Sequence, residues 1–377
     1  MLEPRGFRPG ALVAEPLRIT NCHVHTFTHA HVPSRFVRPP LGWALRAAWF
    51  RKGLFAIVRR FDRGRRGRIA RLARILELGE GTQEAVFARV RSYYPRQTRF
   101  VVLPMHMQHM GCGPVDEPID VQHDQLRLLR DQHVDTLLPF AAVDPRQPYV
   151  VEKTTKLLSE HGFRGIKLYP PIGYHPYDER LHPLYAYCAE HGHPVMTHCS
   201  RPAQVKYRGK PTAEMRVHPV TGETLDWPLD RLLTMFTDPH SYIPVLTRFP
   251  TLRVCLAHFG GHADWQQYLQ NPWDVGSDPD KQSWLGRITD MLRSGDYQNL
   301  YTDISYTVFA DLDHVHLLKV LLADERISNR VLFGSDYYVV ENAKHEERQI
   351  ALHIRSILGE QLYKTIAHDN PTNYLGV

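Results

Sequence analysis

Residues 163–199 read FRGIKLYPPIGYHPYDERLHPLYAYCAEHGHPVMTHC, a short apolar run, a longer segment of helical periodicity, and a second apolar run. That alternation is one parallel βα unit. Working outward, the same pattern recurs, and eight strands are expected at 17–25, 98–105, 136–144, 163–169, 193–199, 252–258, 299–305 and 330–336. Eight parallel strands with intervening helices predict a (β/α)8 TIM barrel, α/β in class, whose usual size is about 250 residues. The chain has 377, so the surplus belongs in loops. Three connections are long, at 26–97, 106–135 and 200–251. Each follows a strand and so emerges at the face where barrel active sites form, which makes them candidate lids on one barrel domain spanning 1–377.

Composition narrows the function classes. Hydrophobic residues make up 43% and charged residues 23%, which is globular, and no stretch is apolar and long enough to span a bilayer. The opening MLEPRGFRPGALVAEP does not read as a secretory signal, so a cytoplasmic protein is expected. The cysteines at 22, 112, 188, 199 and 255 show no paired spacing and read as reduced thiols. The net charge of +6 concentrates in a basic, helix-patterned segment at 51–75. Without a stacking platform or nucleic-acid motif beside it, a solvated helix face is the expected reading and nucleic acid is not expected as a partner.

The 23 histidines carry more information through their placement. Side chains two apart on a strand share a face, so His23 and His25 in CHVH point one way, Cys22 and Val24 the other. At the ends of other expected strands stand Lys167 in GIKLYP, His198 in VMTHCS, His258 in LAHFGG and Asp336 in FGSD. Several buried imidazoles and a carboxylate converging on one barrel mouth are costly unless coordinated. Neutral imidazoles plus one carboxylate suit Zn²⁺ best, with Mn²⁺ and Fe²⁺ open to the same donors.

The ordered set HVH, GIKLYPP, MTHCS, LAHFGG and FGSD resembles the amidohydrolase superfamily. Within it, the chain is similar to the amidohydrolase-related group that includes aminocarboxymuconate semialdehyde decarboxylase and several lactone hydrolases. The resemblance runs from His23 to the terminal NPTNYLG. It implies that His23, His25, His198 and Asp336 are metal ligands, that Asp336 also moves a proton, and that His258 orients water or polarises substrate. It leaves Lys167 open between a carboxylated bridge of two ions and a cationic pocket residue beside one. Family members often dimerise, so a homodimer is an open expectation.

A divalent ion lowers the pKa of bound water from 15.7 to about 7. The leading expectation is therefore a metal-dependent hydrolase acting on an amide, lactone or ester of a small-molecule substrate. The alternative is a nonoxidative decarboxylase or a hydratase of an unsaturated carboxylic acid, with Arg201, Arg164 or Lys167 holding the carboxylate. Arg201, Tyr169, His106 and His175 are candidate substrate contacts, with His109, Tyr337 and Tyr338 behind them. Asp303 and Ser305 share a face of the seventh strand, where Asp303 can orient a ligand histidine. Cys199 should face away from His198, Asp144 should cap the following helix, and Asn370 should cap a last helix stopped by Gly376.

Overall fold

The computed structural model describes residues 17–36, 79, 81–201, 203, 205–270, 282–339 and 346–377. Each apolar run contains a strand: β1 (Thr20–Val24), β2 (Arg99–Val102), β3 (Leu137–Val143), β4 (Gly165–Leu168), β5 (Val195–Ser200), β6 (Val254–Gly260), β7 (Leu300–Asp303) and β8 (Val331–Leu332). The strands lie parallel in chain order. Across the β8–β1 seam Val24 bridges Tyr337, and the Cys22 N–H donates to the Phe333 carbonyl at 2.8 Å. This is a (β/α)8 barrel. Its strands read as nearly continuous apolar runs because both faces are covered.

The barrel interior is filled by Val101, Leu103, Phe140, Met196, Ala257 and Leu332, among others, with Tyr374 and Leu375 of the terminal helix against them. Arg253, just before β6, donates to the Asn373 carbonyl at 2.8 Å, so that helix plugs the N-terminal end of the barrel. The chemistry is left to the other end. Outside, amphipathic helices cover the sheet. Trp284–Ser294 begins where the Ser283 hydroxyl accepts from the Gly286 N–H at 3.1 Å, and it buries Leu285, Ile288, Met291 and Leu292. Each such side chain contributes about 1.5–3 kcal/mol.

Four expectations change in detail. The ladder shifts register between Asn21 and Val24, so Cys22 joins the interior cluster instead of facing away from it. The connection 106–135 contains the helix Ile119–Gln132, and 26–97 contains Gln83–Ser92, so both are partly ordinary barrel helices. Asp144 does not cap Val150–Glu160, whose N-cap is Tyr149; its carboxylate accepts from the backbone and guanidinium of Arg146 instead. Asn370 is the first residue of Asn370–Leu375, not its cap, because the chain enters directly from a π-turn at Thr365–Asp369. Its amide donates to the Ser328 and Val331 carbonyls at 2.6 and 2.7 Å. Gly376 ends that helix at φ 67°. All five cysteines are free and buried. Among the described residues, no helix is long and apolar enough to cross a membrane. The basic segment 51–75 lies outside the described residues.

Three buried histidines away from the donor set make stability acid-sensitive. Burial lowers His106 to about 4 and His123 and His175 to about 3. Two of them accept backbone N–H groups and must stay neutral to do so, His123 from Ala142 and His175 from Tyr177, each at 3.0 Å. Below pH 6.5 the unfolded chain takes up protons that the folded chain refuses, so stability is complete above that pH and falls toward pH 3. At pH 5.5 the loss is on the order of 1 kcal/mol per group and a few kcal/mol together. Urea midpoints at pH 7.5 and 5.5 should differ accordingly, and equal midpoints would contradict it.

Candidate metal centre

The β1 register shift that turns Cys22 inward also leaves His23 and His25 at the barrel mouth. Asn21, fully buried, pins that bend: its Oδ1 accepts from the N–H groups of His23 and Ser335 at 3.2 and 3.1 Å. Its Nδ2 donates to the Ser335 hydroxyl at 2.9 Å. Gly334 permits the close seam, since a Cβ there would lie 2.8 Å from that of His23. Two residues later Asp336 takes a left-handed φ of 62° and presents its carboxylate to the histidines. His25 Nε2 lies 3.0 Å and His23 Nε2 3.4 Å from Asp336 Oδ1. All three side chains are buried, and their donor atoms lie within 4.8 Å of one another.

The outward-facing ring nitrogens fix the tautomers. His25 Nδ1 donates to the Leu103 carbonyl at 2.7 Å and His23 Nδ1 donates to Asp303 Oδ2 at 2.8 Å. Both Nε2 lone pairs therefore face a carboxylate oxygen. His23 Nε2 and Asp336 Oδ1 are buried with no hydrogen-bond partner among the described residues. Lone pairs and an anion converging without a proton between them are unfavourable, and a cation relieves the conflict. The donor set fits a divalent metal ion.

A directional hydrogen-bond chain runs beside these donors. Ser305 donates its hydroxyl to Asp303 Oδ1, so its oxygen accepts from His258 Nδ1 at 2.9 Å. His258 Nε2 then accepts from His198 Nδ1 at 3.0 Å, and His198 Nε2 accepts from the Ser200 hydroxyl at 3.1 Å. Strand alternation alone would turn His258 away from the interior residues Cys255 and Ala257. Its φ of 70°, followed by 46° at Phe259, swings it into the mouth instead, a strained backbone of the kind that collects at working sites. His198 thus stands next to the donor triad through His258, with both its nitrogens engaged.

The electrostatics follow from burial. It lowers His23 to about 3, helped by Lys167, and lowers His198 and His258 below the usual imidazole range. Burial alone would raise the two carboxyls. Contact with His25, together with the nearby His23 and His258, holds Asp336 down at about 2, and His23 with its hydrogen bond holds Asp303 well below the usual range. Lys167 is 2% exposed, its Nζ has no hydrogen-bond partner among the described residues, and burial brings it down to about 8 despite Asp303 and Asp336.

The amidohydrolase family profile matches residues 21–377. The chain belongs to the amidohydrolase family. No curated protein sequence matches it. Among solved structures, this amidohydrolase is similar to 5-carboxyvanillate decarboxylase of Novosphingobium aromaticivorans, crystallised with manganese and 4-hydroxy-3-methoxy-5-nitrobenzoic acid. Identity is 16%, coverage 97% of each chain, and TM-score 0.57. It is also similar to a dihydroxybenzoic acid decarboxylase of a Polaromonas species, crystallised with manganese and 2-nitroresorcinol, at 14% identity, 95% and 97% coverage and TM-score 0.54. A 2,6-dihydroxybenzoate decarboxylase from Rhizobium matches at 14% identity, with 96% and 99% coverage and TM-score 0.53. At these identities the likeness speaks for the fold.

The other expected residues of this amidohydrolase separate. The Tyr169 ring lies 4.5 Å from that of His198, beside the centre. His106 is buried with neither ring nitrogen hydrogen-bonded among the described residues, its ring 5.2 Å from that of His109. His175 instead packs 6.0 Å from His218 and from Phe236, a residue of the insertion 200–251. Arg201, expected to hold substrate, is committed to Asp264 through two hydrogen bonds of 3.1 and 2.9 Å and lies 5.0 Å over the Trp284 ring. The Tyr338 hydroxyl donates to the Phe27 carbonyl at 2.6 Å. Cys199 packs in the outer core, away from His198, as alternation requires. Sequence reasoning missed Asn21, Ser200 and the Leu103 carbonyl. Ser200, two residues from His198 on the same strand, carried a readable signal; a backbone carbonyl carries none.

Asp303 is the test of this arrangement, because it orients His23 and receives the Ser305 end of the chain. Asp303→Asn should weaken divalent-metal affinity about 10–100-fold. Metal-buffered titration of the purified variant checks this, and an unchanged affinity would remove Asp303 from the site.

Proposed function

We propose that this amidohydrolase is a metal-dependent nonoxidative decarboxylase of an aromatic or unsaturated carboxylic acid. The observation that carries the reading is Lys167: an enclosed cation whose Nζ has no hydrogen-bond partner among the described residues, with Asp303 and Asp336 near it in the barrel interior. A buried ammonium is stable only with an anion against it, and a substrate carboxylate supplies one. The decarboxylases that share the fold support this reading over the hydrolysis first expected. Arg201, bound to Asp264, leaves the anchoring to Lys167.

His23, His25 and Asp336 would hold the ion, with His198 a further donor if the Ser200 hydroxyl turns away. The manganese named with two similar structures supports Mn²⁺ ahead of Zn²⁺ or Fe²⁺. When bound, the ion supplies positive charge that polarises the substrate. Lys167 fixes the carboxylate, and Tyr169 walls the planar body beside His198. The bond between carboxyl carbon and its neighbour breaks, carbon dioxide leaves, and the electron pair stays on the neighbouring carbon. Asp336 delivers to that carbon a proton it has taken from solvent. The net reaction consumes one proton per carbon dioxide. His258, held by Ser305, keeps His198 in place beside the substrate through its Nε2. The same proposal takes a small-molecule acid as partner, a homodimer as assembly and the cytoplasm as setting.

The test is product analysis of Mn²⁺-reconstituted protein against hydroxybenzoates, unsaturated acids, lactones and N-acyl compounds. Carbon dioxide released in step with acid consumed is the expected result. Lactone or amide cleavage without gas would return the protein to hydrolysis.

A further inference from the structure

A second set of donors lies outside the residues used above. His262 opens the helix His262–Gln270 directly after β6, while Asp311 and His314 follow β7. Their donor atoms all lie within 4.8 Å of one another. The two imidazole rings are 4.9 Å apart.

None of these donors satisfies another. His314 is buried, and its Nδ1 donates to the Thr307 carbonyl at 3.2 Å, so the proton sits on Nδ1 and Nε2 carries a lone pair. That lone pair faces Asp311 Oδ2 at 3.9 Å, too long for a hydrogen bond. His262 Nδ1 is shielded from solvent and has no hydrogen-bond partner among the described residues. Two imidazole nitrogens and a carboxylate oxygen within 4.8 Å of one another leave room for a cation between them, with metal–ligand bonds of about 2.0–2.2 Å. The surroundings are firm: the Trp265 ring stands 5.3 Å from His314, and its indole N–H donates to the Phe259 carbonyl at 2.8 Å. Asp311 is 35% exposed at its side chain, which gives an ion a way in and water a place to complete the coordination.

We propose that His262, Asp311 and His314 form a second divalent-cation site, sharing no residue with His23, His25 and Asp336, which clamps the segment after β6 to the segment after β7. Two imidazoles and one carboxylate select a borderline ion, Zn²⁺ or its neighbours Co²⁺ and Ni²⁺, over Mg²⁺ or Ca²⁺. The clamp bears on the first centre through one residue. Thr307, whose carbonyl fixes His314, donates its hydroxyl to the His258 carbonyl at 2.7 Å. The Gly261 N–H donates to that same carbonyl at 2.8 Å, one residue before His262. Filling the outer site therefore ties down the backbone on which His258 depends.

The experiment is metal stoichiometry on the full chain, stripped with chelator and reconstituted with Zn²⁺, read by elemental analysis after dialysis and by calorimetric titration. Co²⁺ absorption reports the coordination. Wild type should hold two ions per chain. Asp311→Asn, a near-isosteric change at a half-buried loop position, should weaken one of them 10–100-fold and leave the other unchanged. His262→Gln should do the same, and both should lose the Zn²⁺-dependent rise in melting temperature that the outer ion gives wild type. A wild type that saturates at one ion overturns the site, as does a second ion whose affinity neither substitution changes. Stoichiometry does not depend on the reaction catalysed, so a failed decarboxylase assay leaves this result intact, and the reverse also holds.

Discussion

Asp336→Asn should cut kcat by about 10³-fold while the protein keeps its first-centre metal, within the 10²–10⁴ that a positioned proton donor contributes. The substitution is chosen for what it preserves. Asparagine has nearly the shape of aspartate and keeps an Oδ1 lone pair to offer a metal beside His23 and His25. It also tolerates the left-handed φ of 62° at this position better than other uncharged side chains. What it lacks is a carboxyl oxygen able to take up a proton and release it. Activity and metal content should therefore part: turnover collapses, metal per chain does not, and KM moves little because Lys167 still anchors the substrate. Turnover within tenfold of wild type would remove Asp336 from proton transfer. Loss of metal together with turnover would reduce its role to that of a donor. The carboxyl is held at about 2 by His25 and its neighbours against the pull of burial, so the free enzyme carries it ionised at neutral pH. It must load a proton before the carbon can receive one.

Strand alternation made the barrel and much of its mouth readable in the sequence. It carried His198 inward with Met196, Cys199 outward, and Asp303 inward with Tyr301, because β5 and β7 keep a regular pleat. It failed wherever the backbone leaves that pleat. Cys22 and His23 both turn inward because β1 shifts register there. His258 reaches His198 because φ is positive at two successive residues. Neither departure has a local sequence signature: the bend in β1 is fixed by Asn21 bonding to Ser335, 314 residues away. Asn370 shows the same limit at short range. Read alone, Asn-Pro is a good helix start, but the preceding π-turn supplies the helix and frees the amide to hold Ser328 and Val331. Arg201 was a reasonable anion binder until Asp264, 63 positions on, took its guanidinium. The outer cluster of His262, Asp311 and His314 joins two loops and has no motif spacing at all.

Lys167→Met should make the protein more stable and nearly inactive at once. Methionine is unbranched and close to lysine in length, so it fills the same space without reshaping the barrel. It removes an ammonium that is 2% exposed and has no hydrogen-bond partner among the described residues, and whose depressed pKa of about 8 records the cost of its burial. Replacing a buried charge with a well-packed apolar side chain is often stabilising by about 1–4 kcal/mol. In a domain of 377 residues that corresponds to a rise of about 1–5 °C in melting temperature, at about 1.3 °C per kcal/mol. Catalysis should move the other way: with nothing to pair the carboxylate, kcat/KM should fall by about 10²–10³-fold, most of it in KM, since a lost charge-assisted contact costs about 2–5 kcal/mol. A stabilised variant that retains full activity would place the substrate anchor elsewhere. A destabilised one would mean that the ammonium already has a strong partner in the folded chain. Lys167→Ala with added formate or acetate separates the remaining alternative. Those anions can stand in for a carboxylated lysine bridging two ions and would rescue turnover if that were its role. They cannot restore a missing cation, so a lysine that anchors substrate leaves Lys167→Ala unrescued at every concentration of acid.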